Sequence, residues 1–265
     1  MKNTIDRRDF IKTAGATALA ISPIGFLSGC GSRTKAPGSE PQKAGEMTYR
    51  INEAKNDKVS ILGYGCMRWP MKKNEEGKDI IDQEKVNELI DYALEKGVNY
   101  FDAAPVYLQG QCEAATGEAL SRHPRESYFV ATKLSNFSDA SRAEGIRMYK
   151  ASLEAFRTDY LDYYLLHSIK NAATFTKRFV DNGLIDFLME ERKAGRIRNL
   201  GFSFHGNQEG FDELMSLHEK YHWDFVQIQL NYMDWNHAGR RNTNASYLQA
   251  ELDKRGIPSI IMEPL

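Results

Sequence analysis

Little in this sequence points to cross-linking, metal or nucleic acid. Three cysteines occur in 265 residues, Cys30, Cys66 and Cys112, and they form no CxxC pair and no metal-ligand spacing. A disulfide framework is not expected. An excess of one charge is also missing. The 35 basic and 36 acidic residues leave a net charge of -1, which gives no reason to expect nucleic acid or an anionic membrane as partner. The weakly apolar stretch from Thr13 to Leu27 is rich in Ala, Gly and Thr and falls short of the ~20 apolar residues of a membrane span. No GxGxxG follows the first internal apolar run: Gly63-Tyr64-Gly65 stops short, which counts against an open dinucleotide-binding sheet. What is present is ordinary globular composition, 42% hydrophobic and 27% charged, in a chain long enough for one large domain.

The first thirty residues read as a targeting segment. Arg7-Arg8-Asp9-Phe10 before a modest apolar run resembles a twin-arginine export signal. The competing reading is an amphipathic N-terminal helix that stays on the protein. Leu27-Ser28-Gly29-Cys30 resembles a bacterial lipobox, which would make Cys30 a lipid-bearing N-terminus and the one point of membrane attachment. Residues 31–46 are rich in Ser, Pro, Gly and Lys and read as a tether. The expected organisation is a signal over 1–30, a linker over 31–46 and a folded domain over 47–265. The resemblance implies a partner in the twin-arginine export machinery and a periplasmic or membrane-anchored lipoprotein in a bacterium.

From Val59 onward, short apolar runs alternate with segments of helical period. The predicted strands are Ser60–Gly63, Val98–Phe101, Tyr128–Ala131, Tyr160–Leu166, Arg198–Phe202, Phe225–Gln229 and Pro258–Met262. They recur about every 30 residues, the scale of a βα unit. Several lack alternation, as do strands buried on both faces of a parallel sheet. Between them, Val86, Leu89, Ile90 and Ala93 share a helical face, with Asp82 as a candidate cap and Gly97 as the stop. Repeated βα order predicts right-handed crossovers, in a closed barrel or a doubly wound sheet. The fold expected is a (β/α)8 TIM-type barrel. It needs eight strands; the sequence offers seven, so the barrel reads as truncated after the seventh.

In such barrels the site lies at the C-terminal strand ends. Polar residues immediately past the second, third and fourth strands are Asp102 with Tyr107, Lys133, and His167. Singly, each has a bland reading: Asp102 as a helix cap, Tyr107 as a packed aromatic, Lys133 as a solvated rim charge, His167 as a satisfied core histidine. Three successive apolar strands that end on ionisable groups point instead to a shared pocket.

Phe101-Asp102-Ala103-Ala104-Pro105-Val106-Tyr107, followed by Glu113 and Gly117, resembles the aldo-keto reductase signature. So do Tyr160–His167 and Gln227…Asn231, and the similarity covers about residues 59–265. By that resemblance Tyr107 gives the proton to a carbonyl, Lys133 and Asp102 assist it, and His167 orients the substrate. The cofactor implied is NADP(H), with Gly65, Cys66, Asp102, Ser203 and Gln227 carried over as binding residues. The substrate implied is a small-molecule carbonyl or alcohol. Hydride delivery to a carbonyl builds negative charge on oxygen, which a proton donor must answer. A free tyrosine, pKa ~10, is a reluctant acid; a nearby ammonium is expected to lower that value, and Asp102 to compensate the buried Lys133.

Two positions depart from the pattern. Relatives often carry Ser-Asn where this chain has Ser203-Phe204, and a stacking Tyr where it has Met262. Ser203-Phe204-His205 resembles a branch whose members carry C-terminal ferredoxin-like domains, which implies 4Fe-4S clusters on a domain outside this chain. A redox-silent binding or regulatory barrel is the rival from another class. A barrel glycosidase would need two carboxylates about 5–9.5 Å apart, and the strand ends supply chiefly Asp102.

Overall fold

In a computed structural model of the protein, residues 46–264 are described apart from 53–54, 139, 234 and 237–243. The export signal, the lipobox and all but Glu46 of the linker lie outside the described residues. Strands β1 (Tyr49–Asn52) and β2 (Asp57–Ser60) form an antiparallel hairpin, and β4 (Met71–Lys73) with β5 (Asp79–Ile81) a second. The remaining strands are β3 (Tyr64–Gly65), β6 (Tyr100–Asp102), β7 (Phe129–Leu134), β8 (Leu161–Ile169), β9 (Ile197–Phe204), β10 (Phe225–Gln229) and β11 (Ser259–Met262). They make one seven-stranded sheet in the order β3-β6-β7-β8-β9-β10-β11, and every pairing is parallel.

Strand order follows chain order without reversal, so there is no topological switch point of the kind a doubly wound sheet possesses. This is the strand order of the TIM-type barrel, of which the described residues supply seven strands. The helices between them are α1 (Gln83–Glu95), α2 (Cys112–Leu120), α3 (Arg142–Ala155), α4 (Leu184–Lys193), α5 (Gln208–Ser216) and α6 (Ala245–Arg255). Their apolar faces, such as Val86, Ile90 and Ala93 of α1 and Leu184 and Leu188 of α4, pack on the outer face of the sheet. Gly97, Gly195 and Gly256 take positive φ just past α1, α4 and α6, as helix stops should. Asp82 does occupy the cap position of α1, but its carboxylate pairs with Lys72 at 3.2 Å instead of with a helix amide. None of the described helices is long and apolar enough to cross a membrane.

The first sheet strand lies later than the sequence suggests. Ser60 closes the β1–β2 hairpin opposite Tyr49, and β3 begins at Tyr64. Ile61 and Leu62 look like buried strand residues in sequence but are each about 60% exposed. The hairpin covers the N-terminal ends of the sheet strands. Asp57 of β2 accepts from Arg198 at 2.7 Å and Asn199 at 3.2 Å, and from Tyr163 at 3.3 Å. Asp162, buried beside it, accepts from Arg125 at 2.5 Å and Arg198 at 3.1 Å. One end of the sheet is thereby closed with satisfied polar groups, and the C-terminal end is left for chemistry.

Candidate active site

Side chains alternate across a strand, so residues two apart share a face. On the inner face Tyr100, Ala131, Tyr163, Leu165 and Phe225 form a compact apolar cluster. The next inward position on the same strands carries Asp102, Lys133, His167 and Gln227. The functional side chains are thus inward residues toward the C-terminal ends of β6, β7, β8 and β10, standing on an apolar floor. Ser203, the last inward residue of β9, is 1% exposed. Phe204 has the opposite parity and packs on Phe211 of α5, ring centroids 5.0 Å apart, so its side chain leaves the pocket altogether.

Lys133 is 2% exposed. Its Nζ donates to Asp102 Oδ1 at 2.5 Å and to the Ala103 carbonyl at 2.8 Å, and lies 5.0 Å from the centre of the Tyr107 ring. Burial alone would push its pKa down; Asp102 and Tyr107 outweigh that, and the ammonium is held above its ordinary value. Gln227 Nε2 donates to the other Asp102 oxygen at 3.1 Å. Tyr107 reaches the group from the turn after β6. There Leu108 and Gln109 both sit in the left-handed region, at φ 50° and 57°, each at a cost of roughly 1–2 kcal/mol. Lys133 does pull the Tyr107 pKa down, as expected, but it does not win. Desolvation of the phenol exceeds the pull of the ammonium, Asp102 adds to it, and the value is raised.

His167 is 9% exposed, with its ring 6.0 Å from that of Tyr107 at 85° and 5.1 Å from that of Phe137. Its Nδ1 is hydrogen-bonded to Ser135 Oγ at 2.5 Å. Burial, with Lys133, His205 and Arg178 nearby, lowers its pKa to about 3, so the imidazole is neutral across the physiological range. Immediately after it the β8–β9 ladder is irregular between Leu166 and Ile169, and Ser168 takes φ 56°. Bulges of this kind re-aim side chains beside active sites. Neither the bulge nor Ser135 carries a sequence signal.

The carried-over cofactor residues divide. Gln227 Oε1 is buried with no hydrogen-bond partner among the described residues and could accept from a donor such as an amide NH2. Ser203 Oγ accepts from the Ser168 amide at 2.8 Å. Gly65 is exposed, and a side chain added there would meet nothing within 4 Å, so backbone can approach a ligand. Cys66 is fully buried, and its thiol donates to the Tyr64 carbonyl at 3.6 Å, which leaves only its backbone for a ligand. These residues fit the carboxamide end of a nicotinamide. Met262, half-buried on β11, lies beside Gln229. No cluster of three or more metal-ligating side chains occurs among the described residues. A surface cavity of about 630 Å³ lined by His123, Arg125 and Arg157 lies at the opposite strand ends and holds none of the four.

A parallel sheet in barrel strand order thus carries a buried ammonium, its carboxylate, a phenol and a neutral imidazole at its C-terminal strand ends. The aldo/keto reductase family model matches residues 61–265, and the chain belongs to that family. Among curated proteins it is 33% identical over 118 residues to the uncharacterized oxidoreductase YqkF of Bacillus subtilis, covering 41% of this chain and 35% of that protein. It is 29% identical over 191 residues to Protein tas of Escherichia coli, covering 60% and 52%. It is also 33% identical over 109 residues to the methylglyoxal reductase YeaE of Escherichia coli, covering 41% and 36%. The chain thus spans between about a third and a half of the length of these relatives. Among solved structures, an aldo-keto reductase of Bacillus halodurans in its holo form superposes with TM-score 0.63 at 24% identity, covering 82% of this chain and 66% of that one. One of Klebsiella pneumoniae in complex with NADPH gives 0.63 at 20%, covering 82% and 68%. These two likenesses speak for the fold.

Proposed function

We propose that the protein is an NADP(H)-linked oxidoreductase that interconverts a small-molecule carbonyl and its alcohol, with Tyr107 as proton donor. The observation that carries this reading is the continuous chain from Gln227 through Asp102 to Lys133, which places a compensated ammonium against the Tyr107 ring. The Klebsiella pneumoniae neighbour and the methylglyoxal reductase relative support the cofactor and the reaction class.

The bound cofactor would supply hydride, which no side chain can. The chain's own residues do the rest. Ser203, Gln227 and Asp102, with the backbone at Gly65 and Cys66, would hold the carboxamide end. Neutral His167, fixed by Ser135, orients the carbonyl oxygen through its other ring nitrogen. As charge develops on that oxygen, the Tyr107 hydroxyl delivers its proton, and Lys133 stabilises the phenolate left behind. The raised Tyr107 pKa keeps the phenol protonated before reaction, and the pull of the Lys133 ammonium is what favours release of that proton to the developing oxyanion. The test is consumption of NADPH by the full chain with short aldehydes and ketones. Tyr107→Phe should lower kcat by ~10²–10⁴ while NADPH binding persists. A variant whose kcat stays within about threefold removes Tyr107 from the role.

Export belongs to the same proposal. Arg7-Arg8 and the Cys30 lipobox support a periplasmic or membrane-anchored protein in a bacterium, and Ser203-Phe204-His205 supports kinship with the branch that carries iron–sulfur domains. Electrons would then arrive through 4Fe-4S clusters outside this chain. Iron and acid-labile sulfide in the protein isolated from its host test the clusters. Labelled fatty acid, incorporated by the wild type and not by Cys30→Ser, tests the anchor.

A further inference from the structure

At the irregularity that follows His167, one side chain takes two carbonyls at the end of β8. Arg178 lies in a π-helical turn, Thr176–Val180, between β8 and α4, a form found mostly as single turns and often at functional sites. The residue is 8% exposed. Its Nη1 donates to the His167 carbonyl at 2.7 Å and to the Ser168 carbonyl at 3.4 Å. Its Nη2 donates to the Leu134 carbonyl at 3.5 Å and to Asn136 Oδ1 at 2.8 Å, and its Nε to the same oxygen at 3.2 Å. Every N–H of the guanidinium has an acceptor, and all the acceptors lie on the exits of β7 and β8. The planar group is further flanked by the rings of Phe137, 4.8 Å away, and Phe179, 4.9 Å away. None of the ion pairs among the described residues involves it.

We propose that Arg178 is a positioning residue of the candidate active site: it ties the end of β7 to the bulged end of β8 and so sets where His167 stands relative to Lys133. A buried cation held only by neutral oxygens is a costly feature, and apolar packing alone would not require it. The planar fork explains why arginine is there, since a single ammonium cannot address four acceptors in one plane. The charged and titratable groups that face His167 are Lys133, Arg178, His205 and Tyr107. Loss of Arg178 therefore removes one of the cations that disfavour a charged imidazole, and also releases the carbonyl that anchors the ring's backbone.

The inference rests on the proposed reaction only for its effect on turnover, and the experiment separates the two. In the full chain, Arg178→Ala, Arg178→Gln and Arg178→Lys are compared by thermal unfolding, by imidazole NMR of His167 and by kcat and KM for a short aldehyde with NADPH. In each folded variant the His167 ring signals should shift or broaden. Its titration midpoint should rise, and kcat should fall by about 10²-fold with KM changed far less. Guanidinium ion added to Arg178→Ala should restore part of the wild-type His167 spectrum, and Arg178→Lys should not. If the wild type reduces no aldehyde, the proposed function fails, yet the His167 spectrum still decides the role of Arg178. Wild-type His167 signals in any folded variant overturn the inference. So does a failure of all three to fold with no recovery of Arg178→Ala in guanidinium ion, since Arg178 would then serve the fold as a whole.

Discussion

Lys133 donates to Asp102 across 2.5 Å while only 2% of its side chain meets solvent, against 17% for Asp102. The lysine depends on the carboxylate far more than the reverse. Asp102→Asn leaves an ammonium in a dry pocket with only neutral oxygens as partners, and should destabilise the fold by about 2–4 kcal/mol. Breaking a fully buried pair costs ~3–5 kcal/mol, and the partial exposure of Asp102 lowers that. The double variant Asp102→Asn, Lys133→Met should recover much of the loss, because no uncompensated charge remains. Denaturant unfolding of the three proteins checks this. Equal stability of Asp102→Asn and wild type would mean that water reaches Lys133.

His167 makes a prediction about pH. Its pKa in the fold, about 3, lies below the ~6.5 of an unfolded histidine. The unfolded chain therefore binds more protons between those values. The stability that His167 contributes is fully present above pH ~6.5 and is lost as pH falls toward 3. Imidazole NMR should show no His167 titration from pH 5 upward, and the acid limb of any activity profile in that range should survive replacement of His167. A His167 midpoint near 6 contradicts the burial described for the ring.

Gly117, the last residue of the signature around Tyr107, is a packing requirement. A Cβ there would lie 2.1 Å from the Ala155 carbonyl oxygen and 2.6 Å from Phe156 Cα. Helices α2 and α3 can approach this closely only without it. Gly117→Ala should cost about 1–3 kcal/mol and lower the melting temperature. Because Glu113 on the same helix accepts from Thr132 beside Lys133 and from Ser152 of α3, the damage should extend to turnover. An unchanged melting temperature would show that the two helices slide freely.

How much of this was legible beforehand differs by element. Asp102, Lys133 and His167 were readable because each is a polar residue at the end of an apolar strand, a local anomaly that parity turns into one shared pocket. Strand order was readable from the βα repeat. The hairpin ending at Ser60 was not, because an exposed Ile61-Leu62 pair has the same composition as a buried strand. The direction of the Tyr107 shift was missed because it is a contest between desolvation and a cation, and burial depth has no sequence signature. Ser135 and Arg178 were missed for a similar reason. Their partners are backbone atoms and a bulge fixed only by tertiary structure.

Gln227 supplies the last prediction, since it separates a structural role from a cofactor role. Its Nε2 serves Asp102, while its Oε1 is buried with no partner among the described residues. Gln227→Met would remove a useful donor and an unsatisfied acceptor together. Each is worth about 1–2 kcal/mol in opposite directions, so the stability of the ligand-free protein should move by less than about 1 kcal/mol. Affinity for NADPH should fall instead, by roughly tenfold for the loss of one amide hydrogen bond. The thermal shift produced by saturating NADPH should shrink in step. Titration by fluorescence and by thermal shift measures both. A variant that keeps wild-type NADPH affinity would place the carboxamide elsewhere, and a large loss of stability without ligand would make Gln227 a support for Asp102 alone.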